Sequence, residues 1–310
     1  MLVVLNRRAH GGRAAERWER VAPFLRTAAS FDVVDGDGDI APVRQRIRRA
    51  LQAGETRFVA AGGDGTVNLL ATALAQDAPE RLEDLTLGGI GLGSSNDFHK
   101  PHPATAEIDG VPTRLDFAHA ERRDVCGAQT WTEDGASRTL YWIVNASVGI
   151  TAEANWTFNH PGRWLALLKR TSSDTAIVWA ALRTILRCPA LEARVSVDGA
   201  PAAPVRLKNL GIVKNPHFAG SLCYDSPFEP DSGLMHAHLV GDLPVPRLLR
   251  VFAALARGRF AGSPGTTSWR AHRLELESDR TFAVECDGEV VRARRATFFV
   301  LPQRLRVCLP

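Results

Sequence analysis

The sequence contains no apolar run near the ~20 residues that a membrane-spanning helix needs, so a span of that kind is excluded. Cysteine is scarce: five residues, Cys126, Cys188, Cys223, Cys286 and Cys308, odd in number and without a Cys-x-x-Cys pair. A disulfide framework and a structural zinc site are therefore not expected. There is no polybasic block. Lys and Arg total 38 against 34 Asp and Glu, a net charge of +4. That surplus is too small for a nucleic-acid tail, so no nucleic-acid partner is expected, although it favours anionic ligands or an anionic membrane surface. The opening MLVVLNRRAHGG lacks a basic stretch ahead of a long apolar core, so no secretory leader is expected. Together with the cysteine usage this places the chain in a reducing cytoplasm.

What is present suffices for a real core. Of 310 residues, 45% are hydrophobic and 23% charged, and the length predicts about two domains. The first third alternates strand and helix. Apolar runs at 2–5, 31–34, 58–61 and 85–92 read as strands, and most end in glycine-rich turns. Residues 18–25, 43–51 and 66–74 carry helical spacing; Val43, Ile47, Ala50 and Leu51 share one face. The pattern predicts an α/β domain with a mostly parallel sheet over residues 1–125, with ligands bound beyond the carboxyl ends of its strands. From 126 to 310 short β-like runs separated by turns predict a β-rich, sandwich-like domain, its last strands returning to the first domain. Two helical insertions, 163–187 and 245–260, mix Leu, Trp and Phe with Arg and Lys. Such helices are either core helices with solvated basic faces or surfaces that rest on an anionic bilayer.

One segment carries most of the chemistry. The strand at 58–61 runs into Gly62-Gly63-Asp64-Gly65-Thr66 and then directly into a helix. Glycines let a ligand approach the main chain, and a helix start offers free N–H groups to phosphate. Asp64 is placed to hold Mg²⁺ or orient a hydroxyl, and Thr66 to cap the helix or bond a phosphate oxygen. A second turn, Gly91-Leu92-Gly93-Ser94-Ser95-Asn96-Asp97, repeats this logic after the next strand. No Gly-Lys-Ser/Thr follows either turn, so neither is a Walker A loop. Gly36-Asp37-Gly38-Asp39 only mimics a dinucleotide fingerprint.

GGDGT after a strand, followed by Ser-Asn-Asp-Phe and a late Asp287-Gly288-Glu289, resembles the diacylglycerol kinase catalytic domain superfamily, which includes sphingosine kinases and soluble bacterial lipid kinases. Asn6 with Gly11-Gly12, Asp116, the run 142–149 and Lys214-Asn215-Pro216 fit the same family in order. The resemblance implies an ATP-dependent kinase phosphorylating a hydroxyl of diacylglycerol or a related lipid. Asn6, Gly62, Gly63, Asp64, Gly65, Thr66, Asn68 and Ser94 would hold ATP. Asp64 would act through Mg²⁺, Asn96 and Asp97 would face the acceptor, and Glu289 would take its proton. The implied partners are a lipid substrate, a transient membrane surface at the inner face and, as one arrangement, a second copy in a homodimer. Bacterial relatives also bind a structural Mg²⁺ through the second Asp of an Asp-Asp-Gly turn. That turn reads Asp231-Ser232-Gly233 here, which leaves Asp231 as the candidate ligand. The alternatives are a kinase of a soluble alcohol such as NAD, and a non-catalytic nucleotide- or lipid-binding regulator.

Overall fold

A computed structural model describes residues 1–28, 30–35, 40–101, 106–160, 179 and 182–310. The look-alike fingerprint at 36–39 and most of the predicted helix at 163–187 lie outside the described residues.

The chain begins with β1 (Leu2–Leu5), α1 (Arg13–Ala28), β2 (Asp32–Asp35), α2 (Ile40–Gln52), β3 (Arg57–Gly62), α3 (Asp64–Asp77) and β4 (Thr86–Gly91). β1 pairs with β2 and β3, and β3 with β4, all parallel. β1 and β4 are buried along their whole length, as strands covered by helices on both faces must be. α2 buries the face read from its spacing, Val43, Ile47, Ala50 and Leu51.

Strands dominate thereafter: β5 (Glu107–Ile108), β6 (Val111–Arg114), β7 (Asp116–Trp131), β8 (Ser137–Trp142) and β9 (Asn145–Gly149). After α4 (Ile150–Asn159) come β10 (Leu191–Val197), β11 (Ala203–Val213), β12 (His217–Phe218), β13 (Leu222–Cys223) and β14 (Met235–Gly241). The chain ends with α5 (Val245–Leu255), β15 (Thr266–Ala271), β16 (Arg273–Cys286) and β17 (Glu289–Leu309). Every pair these later strands make with one another is antiparallel.

The parallel strands of the first region and the antiparallel strands that follow share one sheet. β6 joins β4 antiparallel, and among the described residues fifteen of the strands form one continuous sheet, with β12 and β13 paired apart. The physical reason is β17, long enough to serve both regions. Its first part pairs with β16, while Arg306 and Val307 pair parallel with Thr86 and Leu87 of β4. The core follows this division: Leu2, Val4, Phe58, Leu70 and Leu74 pack beneath β1 and β3, and Trp142, Leu210, Leu276 and Phe298 beneath the later strands.

One face of helix α5 packs into the core. Leu248, Val251 and Leu255 are buried against Ile150, Val213 and Phe260. Burying each such side chain contributes about 1.5–3 kcal/mol, so this face stays on the protein. Arg247, Leu249 and Arg250 point outward. Among the described residues no helix is long and apolar enough to cross a membrane.

Candidate active site

The two glycine turns touch main chain to main chain. A Cβ added at Gly93 would lie 2.5 Å from Gly63 Cα, so no larger residue fits between them. Gly62 O accepts from both Leu92 N (2.8 Å) and Gly93 N (3.2 Å). Gly62 itself ends β3 and forms no part of the pocket wall. A Cβ there would sit 2.2 Å from Thr66 Oγ1, so its bareness makes room for the threonine hydroxyl.

The turns open onto a pocket of about 940 Å³, at the upper end of ligand-sized cavities. Asn6, Gly63, Asp64, Gly65, Thr66 and Asn68 contribute to its wall, with Ser94 and Asp97 from the second turn. Thr66 is 5% exposed, and its Oγ1 has no hydrogen-bond partner among the described residues. A buried hydroxyl normally bonds something, so this orphan leaves an open hydrogen-bonding position on the pocket wall. Asn68 is half engaged: its amide donates to Tyr141 O at 2.8 Å and pins α3 to β8. The Asn6 Oδ1 accepts from Arg8 N at 3.1 Å.

Asp64 sits in the first turn of α3, where Phe98 N donates to its Oδ1 at 2.9 Å. Burial, reinforced by the negative charge of Asp97, pushes its carboxyl up to about 6. Asp97, 4% exposed, is bound by Lys100 Nζ at 2.8 Å and Gly220 N at 3.2 Å. These two adjacent carboxyls, Asp97 buried and Asp64 partly exposed, are hard oxygen donors of the kind Mg²⁺ favours.

Asn96 has a different position from the one expected. It stands at φ 49°, and its side chain accepts from Gly93 N (2.9 Å) and donates to Gly91 O and Gly93 O. It holds the second turn in shape and is absent from the pocket wall, because a short amide stabilises its own loop readily. Glu289 does reach the wall, but it is ion-paired with Arg138 of β8. Asp231 lies away from the pocket on an exposed turn, its carbonyl accepting from Gln303 Nε2. No group of three or more His, Cys, Asp or Glu placed to hold a metal occurs among the described residues.

The structure adds residues the motifs did not single out as functional. Glu285 and Asp287 are buried and line the pocket. Burial pushes both carboxyls up to about 7. Glu285 accepts from Ser147 Oγ and Gly288 N, each at 2.6 Å. Asp287 accepts from Ile143 N, Val144 N and Asn145 N, clamping the turn between β8 and β9. Ile150, Phe158, Ile185, Phe218, Leu222 and Phe252, drawn mainly from α4, α5 and the β12–β13 hairpin, give the wall an apolar stretch, next to polar Thr151, Asn155 and Asn159 of α4.

Comparison with known proteins places the chain in a family. Residues 1–127 match the diacylglycerol kinase catalytic domain, and residues 145–309 the YegS C-terminal NAD kinase beta sandwich-like domain. A Stenotrophomonas maltophilia protein named "Probable lipid kinase YegS-like" is 27% identical, covering 99% of this chain and 95% of that protein. A Staphylococcus haemolyticus diacylglycerol kinase is 23% identical over 84% of this chain and 73% of its own. The crystal structure of a diacylglycerol kinase from Bacillus anthracis superposes with a TM-score of 0.67 at 14% identity, covering 100% of this chain and 96% of that one, and so shares the fold. With both family domains matched in order, this chain belongs to the diacylglycerol kinase catalytic-domain family in its YegS-type form, a family of ATP-dependent lipid kinases.

Proposed function

We propose that this chain transfers the γ-phosphoryl group of ATP to a hydroxyl of diacylglycerol or a related lipid, with residues 1–125 holding the nucleotide and 126–310 the lipid. The observation that carries this reading is the composition of the pocket: bare glycine turns with an orphaned Thr66 hydroxyl face a wall of apolar side chains. A triphosphate fits the first and an acyl chain the second.

Phosphoryl transfer requires positioning and charge neutralisation more than covalent chemistry. Main-chain N–H groups at the start of α3 and the Thr66 and Ser94 hydroxyls hold the phosphates. Asn6 and the free oxygen of Asn68 complete the nucleotide site. Asp64, with Asp97 beside it, would hold Mg²⁺, which would supply charge neutralisation for the phosphates. Lys100 and Gly220 N keep the Asp97 carboxylate aimed at the acceptor. Glu289 takes the acceptor's proton, and Arg138 holds it in place. Glu289→Gln is expected to lower kcat about 10²–10⁴-fold with the ATP KM little changed. Activity within threefold of the parent would remove Glu289 from this role.

The test of substrate class is labelled ATP offered with diacylglycerol in mixed micelles, with other lipid alcohols and with NAD. Label is expected in lipid. Label in NAD, or ATP bound without turnover, would contradict the reading.

A cytoplasmic lipid kinase must meet its substrate at a bilayer. Leu249 is 43% exposed beside Arg247 and Arg250, and Leu182 and Leu186 are exposed beside Arg183 and Arg187. These apolar tips among cations support transient contact with the anionic inner face. Co-sedimentation with anionic vesicles is expected at low salt and is expected to fall steeply at high salt. Equal binding to neutral vesicles would contradict an electrostatic contact.

A further inference from the structure

The turn 231–234 does not fit the metal that the family resemblance implies, and the misfit has a specific cause. Lys214, at the turn following β11, is buried together with Asp124 of β7, their side chains 3% and 0% exposed. Its ammonium lies 2.6 Å from Asp124 Oδ2, 2.7 Å from Leu234 O and 3.5 Å from Ser232 Oγ. A carboxylate, a main-chain carbonyl and a hydroxyl converging on one point make a donor set of the kind a hard divalent cation takes. An ammonium group has three N–H donors, and here each meets an oxygen.

We propose that the Lys214 ammonium is a built-in structural cation that replaces a divalent metal at this turn. The charges support it. Asp124 supplies one negative charge and Lys214 cancels it, so a divalent ion added here would leave buried positive charge uncompensated. The remaining capacity of Asp124 is also filled, since Gly233 N and Gln303 N each donate to it at 2.8 Å. Asp231, the only acid left on the turn, is exposed and bonds Gln303 through its carbonyl. Lys214 thus ties together β7, the turn 231–234 and, through Asp124, the bend of β17 at Gln303. The next residue extends the tie to the pocket: Asn215 Nδ2 donates to Asp97 O (2.8 Å) and Lys100 O (2.7 Å). The chain therefore secures this turn with its own side chain, and this holds whatever the acceptor of the kinase.

The test is thermal unfolding without nucleotide, in chelator and in Mg²⁺ or Ca²⁺, with metal content measured after chelation. The parent chain is expected to melt at the same temperature in both and to retain no equivalent of divalent metal. Lys214→Ala combined with Ser232→Asp removes the ammonium and restores a second carboxylate. That variant is expected to melt about 10 °C lower in chelator and to recover most of the loss when Mg²⁺ or Ca²⁺ is added. A parent chain that loses stability on chelation, or carries one tightly held divalent ion at this turn, would overturn the proposal. So would a double variant that melts at the parent temperature in chelator, or one that folds and ignores added metal. If the double variant does not fold, the parent chain decides: indifference to chelator supports the built-in cation and sensitivity refutes it.

Discussion

Asp64→Asn is expected to lower kcat by about 10³-fold or more while raising the melting temperature at neutral pH. Asparagine keeps the shape and the acceptor oxygen that takes Phe98 N, and removes only the charge. The charge is what the phosphates and their metal need, and also what destabilises the fold. The folded carboxyl titrates at about 6, above its ordinary 3.8, so the folded state holds the proton more tightly than the unfolded chain does. Its contribution to stability is therefore full below about pH 4 and is lost as pH rises through about 6. At pH 8 the charged form costs the folded state on the order of 3 kcal/mol, and the variant escapes that cost. The variant should melt several degrees above the parent at pH 8, with the difference shrinking towards pH 4. The same titration gives the parent an acid limb in kcat/KM for ATP near pH 6, since a protonated Asp64 cannot hold the ion. Near-parental activity, or a lower melting temperature at pH 8, would show that Asp64 is a structural acid.

Gly93→Ala should be the most damaging single methyl in the nucleotide site. Its Cβ would fall 2.5 Å from Gly63 Cα and 2.9 Å from Asn96 Oδ1, and the nearest neighbour is main chain, which cannot rotate away. The second turn must then move off the first, straining the bonds of Leu92 N and Gly93 N to Gly62 O. Displacements of about 1 Å can cost 10²-fold in a positioned reaction, and overpacking costs about 1–3 kcal/mol. The expected result is an ATP KM raised about 10²-fold and a melting temperature lowered by several degrees, with the circular dichroism spectrum retained. Gly65→Ala is the control for stability, because nothing lies within 4 Å of its added Cβ. If Gly93→Ala binds ATP like the parent, the backbone contact between the turns does not shape the site.

The parts legible in the sequence are those set by local chain chemistry. A strand running into GGDGT announces its turn wherever it folds, and α2 shows its buried face through spacing alone. The missed parts depend on long-range pairing. β7 opens with Asp116, His119, Glu121, Arg122 and Arg123 and reads as loop, yet it is a strand because β17 lies beside it. β17 is hard to read as one strand, because Pro302 and the register shift between Leu301 and Leu305 break its alternation. Glu285 joins the pocket only through its pairing with Ser147, distant in sequence, and no motif records that register. Asn96 lies off the pocket wall for a simpler reason: Asn and Asp look alike at a helix start, and only the fold shows which side chain turns back to its own loop. Lys214 was visible as part of a Lys-Asn-Pro motif, but its reach to the 231–234 turn was not.

The central claim is that the triphosphate rests against the bare main chain between Gly63 and Thr66. A crystal structure with a non-hydrolysable ATP analogue tests it most directly. The account predicts phosphate oxygens within hydrogen-bond distance of the Thr66 hydroxyl and of main-chain N–H groups at the start of α3, with Asp64 alongside. An analogue bound elsewhere, or a Thr66 hydroxyl still without a partner beside the bound nucleotide, would contradict it.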